Sequence, residues 1–389
     1  MKRFISACLA IGAFALSSCE KEVSHPGVSE TYTSHWYYSY EAIQKIDNKS
    51  VGLADGEFTP YTVTTIGDTL LISTLKANNL GNYGIILFDL KTNKPIRTIN
   101  SWTVNGETQS FVFAHKPNDA ANLDALLKSG DRLYVFDLQS SIHAFQLPSL
   151  EYICCIGNGN WNNQVFQAQA GVVKDGLIFA RDKDGKISTY KEELIKPENN
   201  HKITRYRYSA IDGGSSNNGF NAHYMQVVDD VILLSDYEKM CIRTIDPSLV
   251  NDQMKNGTSL DVHEKLFKLP FKPRTFALTK DRIYLTGNNS KISIYDRNTH
   301  DSITVFNSIK GHTFTFPERI YAQNDSIFWI SDRNAKLLVK MQSFKNEIRE
   351  YDQIGDHIIL VKDPQARHTY GAQKGILVDT RTHEIIETR

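Results

Sequence analysis

Five positions in this chain share one spacing. Aromatic residues stand nine or ten positions ahead of an Asp-led turn at Phe58, Phe166, Phe220, Phe271 and Phe316, and three residues after them come Tyr61, Gln169, His223, Arg274 and Arg319. All five side chains are large and can hydrogen-bond, and Arg274 and Arg319 carry forked donors suited to anionic or hydroxyl-rich ligands. The plainer alternative is that the five bond to one another and to backbone carbonyls, closing a water-filled axis. The preceding loops add His115, Trp161, Asn162, Asn163, Tyr224 and His312. Flat rings stack while amides fix orientation, a mixture that suits sugars or siderophore-like molecules. A Trp161 packed on its own unit is the competing reading.

Signatures of catalysis are missing. There is no GxSxG, HExxH or GxxxxGK[ST], and Gly157-Asn158-Gly159 lacks the third glycine of a dinucleotide loop. The 12 histidines show no ligand spacing, so neither a metal nor a cofactor is expected. The reading is a ligand-binding site made of Tyr61, Gln169, His223, Arg274, Arg319, Trp161 and His312, with no catalytic residue. An enzymatic alternative would use His223 as base and Arg274 as charge stabiliser. Glu318 and Glu350 lie close in register and could supply the paired carboxylates that glycoside hydrolysis needs.

The elements that would position these residues follow from a repeat. Asp, one residue of any type, then an apolar strand opening recurs at Asp68, Asp131, Asp175, Asp230, Asp281, Asp325 and Asp356, with steps of 63, 44, 55, 51, 44 and 31 residues. Repeats of about 40 to 50 residues built from short strands mark propeller blades. Each unit has an apolar strand before the Asp turn, a second after it and a third beyond a polar turn. In unit three these are Gly171–Val173, Leu177–Ala180 and Lys186–Tyr190; in unit five they are Phe276–Leu278, Ile283–Thr286 and Lys291–Tyr295. The fold class is therefore all-β, a β-propeller of mostly four-stranded antiparallel blades, seven by the turns and six if the short last step completes an earlier blade. Long steps predict insertions at 103–122, 191–221 and 247–270, with a helix capped by Asp246 starting at Pro247 and a loop at Gly213–Gly219.

Balanced charge, 44 Lys plus Arg against 44 Asp plus Glu, gives no general attraction for nucleic acid or anionic lipid. Apolar content of 41%, with 18 Tyr and 19 Phe, suits a large strand-built core. At the N-terminus, Lys2 and Arg3 precede the apolar run Phe4–Leu16, the pattern of a secretory signal too short to remain in a bilayer as a span. Of five cysteines, Cys8 falls in that signal. Cys154 and Cys155 are neighbours in a strand-like run and point to opposite faces; with Cys241 they read as buried thiols.

Two resemblances accompany these patterns. Leu16-Ser17-Ser18-Cys19 resembles a bacterial lipobox, which implies cleavage after residue 18 and a lipid on Cys19; an ordinary signal peptide that happens to contain a Cys is the alternative. Glu20-Lys21-Glu22 resembles the surface-export signal of Bacteroidota lipoproteins, although a solvated tether explains it equally. The implied organisation is a signal peptide over 1–18, a tether over 19–31 and one propeller domain over 32–389, held at the outer membrane on its surface or periplasmic face.

The repeat units are most similar to NHL repeats. Ile156-Gly157-Asn158-Gly159, Phe166 and Gly171–Phe179 follow that order, as do Phe316–Ile320 with Ile327–Asn334. No unit carries the Trp-Asp ending of WD40 blades. The chain thus resembles the NHL-like or TolB-like propeller lipoproteins of Bacteroidota. The resemblance implies a propeller and no particular ligand: a glycan, a siderophore-like molecule or a protein, or a purely structural role beside an outer-membrane transporter.

Overall fold

The computed structural model describes residues 35–74, 84–104, 106–111, 123–137, 141–156, 170–181, 187–191, 205–210, 222–247, 263–348, 351–362 and 375–388. Apart from Pro247, whose backbone is helical, every regular element described is a strand. Two compact units are present, residues 40–343 and a second made of residues up to 39 together with 344–388; the sequence reading had one domain over 32–389.

Six sheets make the larger unit, each antiparallel within its own run of chain. Sheet 1 takes Pro60–Ile66, Thr69–Thr74, Ile85–Asp89 and Lys94–Ile99, and sheet 2 takes Leu123–Ser129, Arg132–Asp137, Ser141–Gln146 and Tyr152–Ile156. Sheet 3 takes Ala170–Lys174, Leu177–Arg181, Ile187–Lys191 and Arg205–Ala210, and sheet 4 takes Ala222–Val228, Val231–Asp236, Cys241–Ile245 and His263–Lys268. Sheet 5 takes Pro273–Leu278, Arg282–Gly287, Ile292–Asp296 and Ser302–Phe306. Sheet 6 has Pro317–Ala322, Ile327–Asp332 and the strand Leu337–Ile348 as far as residue 343, and its outermost member is the strand His35–Ile46 from Tyr40 onward.

Local chemistry explains why the Asp turns recur. Asp175 and Gly176 have φ of 51° and 73°, and Asp229 and Asp230 have 48° and 69°. Two successive left-handed residues match the twist of a tight hairpin, and Gly and Asp tolerate that conformation best. The strands leaving these turns are short continuous apolar runs, such as Leu70-Leu71-Ile72 and Ile232-Leu233-Leu234, buried on both faces.

What closes the ring is packing between neighbours. One apolar layer lies between each pair of adjacent sheets, from Leu71 and Leu87 against Leu126 and Val135 (sheets 1 and 2) round to Tyr284 and Ile294 against Phe328 and Val339 (sheets 5 and 6). The sixth layer packs Trp329 and Leu338 of sheet 6 on Phe58, Leu70 and Phe88 beside sheet 1. The first strands accordingly neighbour one another from sheet 1 to sheet 6 and back to sheet 1. This is a propeller-like arrangement of four-stranded sheets.

The smaller unit contains Tyr351–Gly355, Ile358–Lys362, Gly375–Asp379 and Glu384–Thr388, with Tyr38 pairing Glu384 in parallel. Its core is Ile348, Ile359 and Val378. Trp36 stacks on His383 with ring centroids 3.6 Å apart, and Lys345 Nζ lies 3.9 Å from the other ring's centre, that of Trp36.

All seven Asp turns join a first strand to a second, and the six within residues 40–343 fall one to each of sheets 1 to 6. Six belong to the ring of residues 40–343; the seventh, Asp356, belongs to the smaller unit, so the expected succession of seven does not describe that ring. The expected insertions at 191–221 and 247–270 contain the outermost strands of sheets 3 and 4. Such strands lack the double-sided apolar run that marked the inner ones. Ser101–Val104 and Glu107–Ser110 pair as a small hairpin that begins just before the first insertion and runs into it.

Candidate functional site

A shared irregularity builds the site. The first residue of each first strand pairs with the last of its second strand: Pro60 with Thr74, Leu123 with Asp137, Ala170 with Arg181, Ala222 with Asp236, Pro273 with Gly287 and Pro317 with Asp332. In five of these the register then slips. An extra residue in one strand forms a bulge, which bends the strand and re-aims a side chain. The bulges hold Tyr61, Asp124, His223, Arg274 and Glu318. Only Ala170–Lys174 runs straight, and there the following residue is Gly171.

Tyr61 and His223, with Arg319, stand at one end of a cavity of about 520 Å³ lined by all six first strands. Arg319 of sheet 6 donates through Nη1 to the His223 carbonyl at 2.6 Å and through Nη2 to the Tyr61 hydroxyl. Its guanidinium carbon is 4.4 Å from the centre of the Tyr61 ring. Arg274 Nη1 donates to Glu318 Oε1 at 2.5 Å, and Arg333 Nη1 to Glu318 Oε2 at 3.2 Å. Glu318 is only 2% exposed, and the two guanidiniums pair with its buried carboxylate. Arg274 also lies 5.1 Å from the centre of the Phe316 ring and 5.7 Å from that of Tyr237.

Hydroxyls on the second strands tie the bulges down. Ser73 accepts the Thr62 amide and Ser331 accepts the Arg319 amide, each at 3.1 Å. Ser235 donates to the Arg274 carbonyl at 2.9 Å, and Thr286 to the Glu318 carbonyl at 3.0 Å, each reaching the next sheet. The mouth is thereby preorganised by backbone contacts as well as by side chains.

Electrostatics follow from this crowding of cations. Burial, then Arg319, Arg274 and Arg181, push the His223 imidazole down to about 3, so it is neutral at physiological pH. Its ring is 4.5 Å from that of Tyr237. Deeper in the cavity, burial and the nearby Tyr321 push the Tyr224 phenol up to about 12, against the opposing pull of Arg319.

Of the residues expected at the site, Tyr61, His223, Arg274 and Arg319 come together at the mouth. Gln169 and Trp161 lie outside the described residues, as do His115, Asn162, Asn163 and Cys19. His312 is differently employed: its Nε2 is 3.1 Å from Asp332 Oδ2, and its side chain is 7% exposed. Asp332 also accepts the amides of Thr315 and Phe316 and the Thr315 hydroxyl. Burial raises its carboxyl, but these bonds outweigh that and hold it below the usual range. His312 thus belongs to a closed loop-fastening cluster.

Sequence spacing placed Arg319 in register with Arg274, and the structure places Glu318 there. Phe58 and Phe271 are two residues ahead of Pro60 and Pro273, whereas Phe316 directly precedes Pro317. Aligning on the prolines would have found Glu318, a carboxylate at the mouth that counting from the aromatic misses. No group of residues able to hold a metal occurs among those described, and none of their helices is long and apolar enough to cross a membrane.

No family model matches the chain, and no curated protein does. Solved structures do. One is a structural-genomics protein of unknown function from Bacteroides thetaiotaomicron VPI-5482, at TM-score 0.51 and 13% identity, with 82% of this chain and 78% of that one covered. Another is the β-propeller domain of Myceliophteria thermophila Cps50 (Swd1), at TM-score 0.51 and 9% identity, covering 78% and 99%. The fold is that of a β-propeller. At such identities the likeness extends to the fold alone.

Proposed function

We propose that this chain is a lipid-anchored binding protein of the cell envelope, without catalysis, whose ligand seats at the mouth of the propeller channel. In this reading residues 40–343 form six blades of the NHL-like or TolB-like lipoprotein type of Bacteroidota. Cys19 carries the lipid that holds the protein at the outer membrane, a proposal that rests on Lys2-Arg3, the apolar run and Leu16-Ser17-Ser18-Cys19. Mass spectrometry of the native N-terminal peptide should find a diacylated Cys19; an unmodified cysteine contradicts the anchor.

One observation carries the site: bulges at a common position hold Tyr61, His223, Arg274 and Glu318, and Tyr61 and His223 line a cavity to which every sheet contributes. Bulges of this kind recur next to binding and active sites. Catalysis fits less well. A general base works best with a pKa near the operating pH, and His223 at about 3 is far below it. Both Glu318 oxygens are already engaged by arginines.

The test is a thermal-shift screen of glycans and siderophores, then calorimetric titration of wild type, Arg274→Ala and Arg319→Ala with any hit. Each variant should weaken binding by about 1.5 to 3 kcal/mol, the range for hydrogen bonds to charged groups. Unchanged affinity in both would put the ligand elsewhere. Loss of folding in the variants would instead make these residues a structural closure.

A further inference from the structure

The cavity below the mouth is walled by strand edges. Each of the six first strands is the end strand of its sheet, hydrogen-bonded on one side only, and all six line the cavity. No backbone bond joins one first strand to another among the described residues. Alternate residues of these strands therefore turn their N–H and C=O groups inward. We infer that the occupant is a neutral, hydroxyl-rich molecule, a sugar or a cyclic polyol, that enters at the mouth and lies along these edges. This inference rests on the mouth being the binding site, and adds the class of ligand and the depth it reaches.

Three observations support it. First, the mouth answers its own edge groups, and the channel below it does not. Arg319 donates to the His223 carbonyl, and the Thr275 hydroxyl accepts the Ile320 amide at 2.9 Å. Deeper, the backbone of residues 64–65, 126–128, 172–173 and 226–227 has no side-chain partner among the described residues. An enclosed edge group needs a hydrogen-bonding partner, which a hydroxyl-rich ligand supplies and an acyl chain does not. Second, neutral polar side chains stand beside these edges. The Thr65 and Tyr321 hydroxyls are bonded at 3.1 Å, Gln323 Oε1 accepts from Trp329 Nε1 at 3.0 Å, and the Gln226 amide bonds to no described residue. Hydroxyls and amides both donate and accept, as a sugar's own hydroxyls require. Third, permanent charge among the described lining residues is confined to Arg319 at the mouth and Lys128 beside the Asp131 turn. A cation meets no carboxylate in that lining, and an anion meets a neutral wall along most of its length. The volume of about 520 Å³ falls within the range of small-molecule sites.

The experiment is calorimetric titration of the full chain with glucose, galactose, maltose, myo-inositol, sodium glucuronate and sodium decanoate. At least one of the four neutral probes should bind saturably. Thr65→Trp, which plugs the channel below the mouth, should abolish that binding, and Gln226→Leu should weaken it about tenfold. Circular dichroism checks that the variants fold. Should Thr65→Trp not fold, Tyr321→Phe keeps the ring, removes its hydroxyl and should weaken binding about fivefold. A neutral probe whose affinity is unchanged in the folded variants overturns the inference and confines the ligand to the mouth. Binding of glucuronate or decanoate alone, lost in Thr65→Trp, overturns the ligand class while the binding reading stands. If no probe binds, both fail.

Discussion

Five first strands of the ring are bulged and one is straight, and the two kinds do different work. Where the register slips, the extra residue leaves the pleat and reaches the channel mouth, as His223, Arg274 and Glu318 do. Where it does not, Gly171 lets the neighbouring sheet come close: a Cβ built there would lie 2.5 Å from Phe136 Cε2 and 2.7 Å from the Phe179 carbonyl oxygen. The straight strand has given its position to packing, and the bulged ones have given theirs to polar chemistry. A single extra residue decides between them.

Gly171→Ala should have the largest effect. The clash is with a ring in the apolar layer and with backbone, neither of which can yield cheaply, so a loss of about 3 kcal/mol is expected in urea unfolding. A near-neutral result would mean that sheets 2 and 3 are not closely packed and that the contrast is unfounded.

Glu318→Gln probes the opposite kind of position. It leaves Arg274 and Arg333 facing a neutral amide, and because Arg333 is 43% exposed the loss should stay near 2 kcal/mol, below the full cost of breaking a buried pair. Binding should weaken along with stability, since Arg274 loses its fixed orientation. Stability lost without any change in a confirmed ligand's affinity would make the bulge purely structural.

His223 gives the contrast a pH signature. Its folded pKa lies below its unfolded value of about 6.5, so the unfolded chain takes up the proton first as pH falls. Its contribution is therefore in place above about pH 6.5 and is lost as the solution is acidified toward about 3. Between pH 7.5 and 5 this group should cost about 1 to 2 kcal/mol of unfolding free energy. His223→Gln should flatten that portion of the profile, and an unchanged profile would place the ring in an ordinary environment.

Tyr61→Phe should be the mildest change. It removes the hydroxyl that accepts from Arg319, which keeps the His223 carbonyl, so about 1 kcal/mol is expected. A larger loss would show that the two bonds act as one unit.

The turns were legible in the sequence because their chemistry is local. Asp175-Gly176 and Asp229-Asp230 need left-handed backbone, and the apolar runs after them need no distant partner to be recognised. Ring closure was not legible. It depends on pairing between Leu337–Ile348 and His35–Ile46, and no local spacing encodes a partner almost the whole chain away. Outer strands such as Arg205–Ala210 were hidden for another reason: with less to bury, they resemble loops. At the mouth, Tyr61, His223 and Arg274 could be found from the spacing of Phe58, Phe220 and Phe271. Glu318 could not, because Phe316 sits one residue closer to its proline and the count slips past the bulge.

The central claim is that the bulged side chains form a ligand's seat, and a crystal structure with a screened ligand bound tests it most directly. The account predicts ligand density at the channel mouth, within hydrogen-bonding distance of His223 or Arg274, with Glu318 still bridging Arg274 and Arg333. Density confined to the outer faces of the sheets, with the mouth unchanged from its ligand-free arrangement, would contradict it.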